Sequence, residues 1–63
     1  YSWGEAVDLG NIGKIQMHEN DRAAAGENLK EAHRIFTRLH ATAQADAIQS
    51  ALDRISDGGA RKP

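Results

Sequence analysis

Apolar residues recur along this chain with the period of a helix face, and polar clusters interrupt them at His18-Glu19-Asn20-Asp21, His40-Ala41-Thr42 and Ser56-Asp57-Gly58-Gly59. Between the first two breaks, Ala25, Leu29, Ala32, Phe36 and Leu39 stand at i, i+4, i+7, i+11 and i+14, which aligns them on one side of a helix over residues 22–39. The other side carries Glu27, Lys30, Glu31, Arg34 and Arg38, a solvated set in which Glu31 and Arg34 are placed to pair at i,i+3. Asp21 supplies an N-cap or first-turn acid, while Arg38 and His40 suit the negative end of the helix dipole.

The same spacing returns in Ala41, Ala45, Ile48, Leu52 and Ile55, with Asp46, Gln49, Asp53 and Arg54 facing elsewhere. It predicts a helix over residues 42–56, closed by Gly58-Gly59 as its C-cap. The first segment, residues 5–18, is less regular. Trp3, Ala6 or Val7, Leu9, Ile12, Ile15 and Met17 suit a helix there, whereas Gly4, Gly10 and Gly13 each cost about 1 kcal/mol relative to alanine. A helical glycine makes sense where a second backbone must come close, so Gly13 predicts a tight helix crossing. Short joints make successive helices antiparallel neighbours. The expected fold is all-α, an antiparallel three-helix unit over residues 1–56 with a core of Leu9, Ile12, Leu29, Phe36, Ile48 and Leu52. Residues 57–63 are expected to form a flexible C-terminal tail.

Composition narrows what such a unit does. Sixty-three residues suffice for one small domain, and with many alanines, few aromatics and no cysteine the core is thin and unstapled. Help from neighbouring repeats or a homodimer is expected. A net charge of −1 gives no electrostatic footprint for a phosphate backbone, so nucleic acid is not an expected partner. No apolar run approaches a membrane span and no signal-peptide pattern opens the chain, which leads to a cytoplasmic expectation.

Candidate chemistry is sparse. His33 and His40 are separated by about 10 Å along a helix, too far for one ion, so no metal site is expected. His18-Glu19 lacks the second histidine of a zinc-protease helix, and Ser2, Ser50 and Ser56 have no histidine and carboxylate at readable spacing. Gly10-Asn11-Ile12-Gly13 superficially resembles a phosphate-cradling loop, but no strand precedes it and no Lys-Ser or Lys-Thr follows. Neither catalytic residues nor a cofactor is expected. Asn11, Lys14 and His18, at i, i+3 and i+7, form a single polar stripe on the first helix.

Leu9-x2-Ile12-Gly13, the turn at Asn20-Asp21, and the small, large and small residues Ala25, Leu29 and Ala32 together resemble a tetratricopeptide repeat over about residues 6–39. Three positions depart from that pattern: Gln16 occupies its aromatic position, Asn20 its turn glycine, and no proline follows the second helix. Asparagine is the mildest replacement for a turn glycine because it tolerates the left-handed conformation next best. The run Ala32-His33-Arg34-Ile35-Phe36-Thr37-Arg38-Leu39 is similar to the final repeats of actinobacterial antibiotic-pathway regulators, with His40 where they carry glycine. The resemblance implies one repeat plus a capping helix, within a larger regulator. It also implies that Asn11, Lys14 and His18 line a groove, with Asn11 and Lys14 matching positions at which such domains grip peptide carboxylates.

The leading expectation is thus a non-catalytic module that binds a protein or peptide partner, or neighbouring repeats of a parent chain. Its rival is an independent helical dimerisation or docking domain of a multienzyme assembly, self-associating through leftover apolar surface that includes Trp3 and Met17. Helix-turn-helix DNA binding fails on charge, since residues 43–55 carry one arginine against two aspartates.

Overall fold

The computed structural model describes the backbone of residues 2–60 and the side chains of residues 2–56. Three helices account for nearly all of it: α1 (Trp3–His18), α2 (Arg22–Arg38) and α3 (Thr42–Ala60). The expected all-α three-helix unit is therefore what the chain forms. α2 is the middle layer, packed against α1 on one side and α3 on the other, while α1 and α3 touch over only a small area. The result is an elongated slab with extents of 39 × 18 × 13 Å.

Local signals explain the boundaries. α1 begins two residues earlier than the spacing predicted because Ser2 caps it, its hydroxyl accepting from the Glu5 backbone N–H at 3.1 Å. Ser2-x-x-Glu5 is the sequence form of a capping box, so the signal was present. Asp21 caps α2 as expected, its carboxylate accepting from the Ala24 N–H at 3.3 Å.

The two joints share one geometry. Asn20 and His40 have φ of 63° and 59°, the left-handed values that usually call for glycine. At the first joint the Asp21 N–H reaches back to the Gln16 carbonyl and the Asn20 N–H to that of Met17. At the second, Ala41 donates to Phe36 and His40 to Thr37 in the same register. Both are Schellman turns, which satisfy the last carbonyls of one helix while aiming the chain straight into the next. The glycines expected to do this at the end of α3 do not: α3 continues through Gly58 and Gly59 to Ala60, and no described glycine takes a positive φ. The expected boundary at residue 56 thus falls inside α3, and residues 61–63 of the expected tail lie outside the described residues.

The core runs along α2. Ala25, Leu29, Ala32, Ile35 and Phe36 are buried, against Ala6 of α1 and Ala45, Ile48 and Ala51 of α3. Leu29, Phe36 and Ile48 occupy their expected places, whereas Leu9 and Leu52 are only partly buried at its margin. Ile12 is a correction. It is 45% exposed, because the side of α1 that meets α2 is centred on Gly13 and residue 12 lies about 100° away around the helix. Ile35 was not among the expected core residues, yet it is fully buried because a middle helix is covered on two sides.

Gly13 lies at the close crossing that its sequence context implied. A Cβ there would fall 2.7 Å from Cγ of Leu29 and 3.4 Å from the Ala25 carbonyl oxygen. Gln16, beside this crossing, accepts a hydrogen bond from the Asn28 side-chain amide at 2.8 Å. A partly buried polar clamp between α1 and α2 thus stands where the repeat pattern has an aromatic ring.

Candidate functional site

Because α1 and α3 are held apart by α2, a groove opens between them. Its narrowest point is set by Gly10, where an added Cβ would come within 3.2 Å of Cδ1 of Ile48. Around that point lies a 170 Å³ depression floored by Ala6, Gly10, Phe36 and Ile48 and edged by Asn11, Lys14 and Gln44. It runs on past Lys14 into a wider, 550 Å³ section lined by Met17, His18, Ala47, Ser50, Ala51 and Arg54. Lys14 belongs to both sections, so the two form one channel.

The structure brings the three sequence-selected residues together on this channel. Asn11, Lys14 and His18 are all solvent-exposed, and the first two line one section while Lys14 and His18 line the other. Val7, partly buried, lines the first section beside Asn11 and Lys14. The opposite wall escaped the sequence reading. Gln44, Ala47, Ser50 and Arg54 are set one helix face away from the core positions of α3, and Arg54 was grouped with residues facing elsewhere. Their spacing, Gln44, Ala47, Ser50 and Arg54 at i, i+3, i+6 and i+10, is a legible stripe, but it acquires meaning only once α1 is placed beside it.

The electrostatics of the channel are one-sided. Among the described residues, Lys14, His18 and Arg54 line it and no carboxylate does. Its floor is of small or apolar groups, so a ligand backbone or short apolar side chain can approach closely while charged groups meet the rim. A larger depression of 620 Å³ between α2 and α3 has the opposite character, with Arg22 and Lys30 offset by Glu27 and Asp53 along the same walls. The outer side of α2 is likewise self-neutralising. Arg34 donates to both carboxylate oxygens of Glu31, one of these bonds at 3.2 Å, and that hydrogen bonding, helped by the charge of the guanidinium, holds the Glu31 carboxyl below its usual pKa.

His33 and His40 share a shallow 310 Å³ depression with Asp46 and Thr37. Among the described residues, no three or more histidine, aspartate or glutamate side chains are grouped so as to hold a metal ion. No described helix is long and apolar enough to cross a membrane. Compared with known proteins, the chain matches no family model, no curated protein and no solved structure.

Proposed function

We propose that this chain is a non-catalytic, tetratricopeptide-like interaction module that holds an acidic segment of a partner protein in the groove between α1 and α3. The observation that carries the reading is the channel itself, in which Lys14 and His18 on one wall and Arg54 on the other flank Ala47 and Ala51, with no acid among the described lining residues. Carboxylates entering such a channel gain charge-assisted hydrogen bonds. Two further features support the repeat reading. Successive helices are joined by identical left-handed turns. Ile12 and Ile15 are left exposed on α1, as in a repeat that buries its remaining apolar surface only against a neighbour. On this reading the parent protein is a larger cytoplasmic regulator, and the module positions its partner or its own neighbouring domains.

The test is a titration of the wild type, Lys14→Glu, Arg54→Glu and Arg34→Glu with an oligoglutamate peptide at two salt concentrations. Reversal at Lys14 or Arg54 is expected to weaken binding about fivefold to tenfold, less so at high salt, because each converts an attraction across a half-solvated rim into a repulsion. Arg34→Glu, on the outer face of α2, is expected to change it little. Equal and negligible effects at all three positions would remove the groove from consideration, and a larger loss from Arg34→Glu would move the binding surface to the outer face.

A further inference from the structure

The exposed isoleucines of α1 stand on a second surface, distinct from the groove. Ile12 and Ile15 are 45% and 56% exposed, the latter more so than any other large apolar side chain described. With Glu5, Asp8 and Glu19 they occupy i, i+3, i+7, i+10 and i+14, one continuous stripe along the helix, and all five are exposed. This is a ridge, apolar at its centre and acidic at both ends. Successive residues on a helix are about 100° apart, so the ridge at Ile15 and the groove wall at Lys14 look in different directions from the same helix.

Ridge and groove are complementary in shape and sign. The groove offers small residues along its length, Gly10 and Ala47 in one section and Ala47 and Ala51 beside Lys14, His18 and Arg54 in the other, and side-chain ridges of one helix seat in the grooves of another when the facing positions are small. The acids on the ridge, Glu5, Asp8 and Glu19, are opposite in sign to Lys14 and Arg54 along the channel, where His18 adds an imidazole. The other exposed apolar groups lack this match: Trp3 is engaged edge-on with Phe36 at a centroid distance of 5.3 Å, and Leu39 sits at the second joint.

We propose that a second copy of this chain occupies the groove, seating its Ile12–Ile15 ridge between α1 and α3 of the first. The proposal rests on the groove reading above and names the occupant. Since the two halves of the contact are different surfaces, the interface is heterologous and not two-fold. Each chain keeps a free ridge at one end and a free groove at the other, so association proceeds head to tail and extends beyond two chains as concentration rises. It also makes self-association and capture of an acidic partner mutually exclusive at each groove.

The decisive experiment exploits that asymmetry. Ile15→Lys removes the ridge and leaves the groove, whereas Arg54→Glu removes the groove and leaves the ridge; both side chains are exposed, and circular dichroism checks that each variant keeps its helices. Ile12→Asn and Lys14→Glu serve as a second pair. By sedimentation velocity from micromolar to millimolar concentration, the wild type is expected to grow past two chains. Each variant alone is expected to stay monomeric, at least about tenfold weaker in self-association, while an equimolar mixture forms a two-chain species and nothing larger because one ridge and one groove survive. A wild type that remains monomeric, a variant that dimerises alone, or a mixture of folded variants that stays monomeric would overturn the proposal. Oligoglutamate that shifts the Lys14 and Arg54 amide resonances of a strictly monomeric wild type would overturn the second copy and leave the acid-binding groove standing. Absence of both effects would overturn both readings.

Discussion

Replacing Gly13 with alanine sets two energies of opposite sign against each other at one atom. In a helix interior the change is favourable by about 1 kcal/mol, since alanine loses less backbone entropy on folding. Against this, the new methyl would sit 2.7 and 2.8 Å from Cγ and Cδ2 of Leu29, with the Ala25 carbonyl oxygen 3.4 Å away on its other side. Leu29 is completely buried and Cγ is its branch point, so the clash is not relieved by swinging a flexible end aside. Relief requires α1 and α2 to separate by several tenths of an ångström, which loosens the Ala6 and Met17 contacts and strains the Gln16–Asn28 bond. Against a fully buried branch point at 2.7 Å the cost falls in the upper part of the overpacking range, about 2–3 kcal/mol, so the net change is a loss of about 1–2 kcal/mol. For a domain of this size that lowers Tm by roughly 5–15 °C. Gly26 is the internal control: it too lies inside a helix, α2, but nothing stands within 4 Å of its added Cβ, so the helix-propensity gain is unopposed and Gly26→Ala should raise Tm by about 4–8 °C. Thermal melts followed by far-ultraviolet circular dichroism, with Trp3 fluorescence as a second probe, read both. A Gly13→Ala variant as stable as the wild type would show that the close crossing is not what selects glycine there.

The left-handed joints give a second prediction: His40→Gly should stabilise by about 0.5–1 kcal/mol and Asn20→Gly by less, because asparagine already tolerates φ near 60°, and paired melts rank the two. Phe36→Ala should remove about 3–5 kcal/mol, enough to unfold much of the isolated chain at room temperature, since it opens the core and strips Trp3 of its edge-on partner; an unchanged melt would contradict its burial. Glu31 titrates below its ordinary pKa of 4.5 in the folded chain, so its pair with Arg34 favours folding above that pH and the contribution is lost as pH falls through the lowered value. In Arg34→Gln, carboxyl titration by nuclear magnetic resonance should return Glu31 to its ordinary value.

The three helices were legible because α2 and α3 keep their apolar groups at one unbroken spacing and because Asp21 announces a start. α1 was harder to read for a physical reason. Its contact side is Ala6, Gly10, Gly13 and Met17, at i, i+4, i+7 and i+11, the same template that Ala25, Leu29, Ala32 and Phe36 follow on α2. Two of the four are glycines, which carry no hydrophobic signal, so the pattern is visible only through its larger exposed neighbours. Reading Leu9 and Ile12 as core turned the helix toward its edge, although Gly13 as a crossing and Ile12 as a core residue are about 100° apart and cannot both be central.

The same reasoning sets how far a binding site can be read from one helix. The stripe of Asn11, Lys14 and His18 follows from the sequence because it lies within α1, but a stripe has no floor and no opposite wall. Those come from α3, and its placement depends on α2 being a middle layer, on both joints taking left-handed turns at non-glycine residues, and on Gly10 letting Ile48 come close. His40 is the weakest of these signals, since a histidine does not announce a left-handed residue as glycine would. A preference that the local sequence opposes must be supplied by the contacts it enables. Here these are the burial of Ala45, Ile48 and Ala51 against α2, and that packing also carries Arg54 to the groove. The basic channel is therefore tied to the stability of the α2–α3 packing. Core variants on α3 should loosen the groove even where they touch none of its charges, whereas charge reversal at Arg54 should alter binding and leave the melt unchanged.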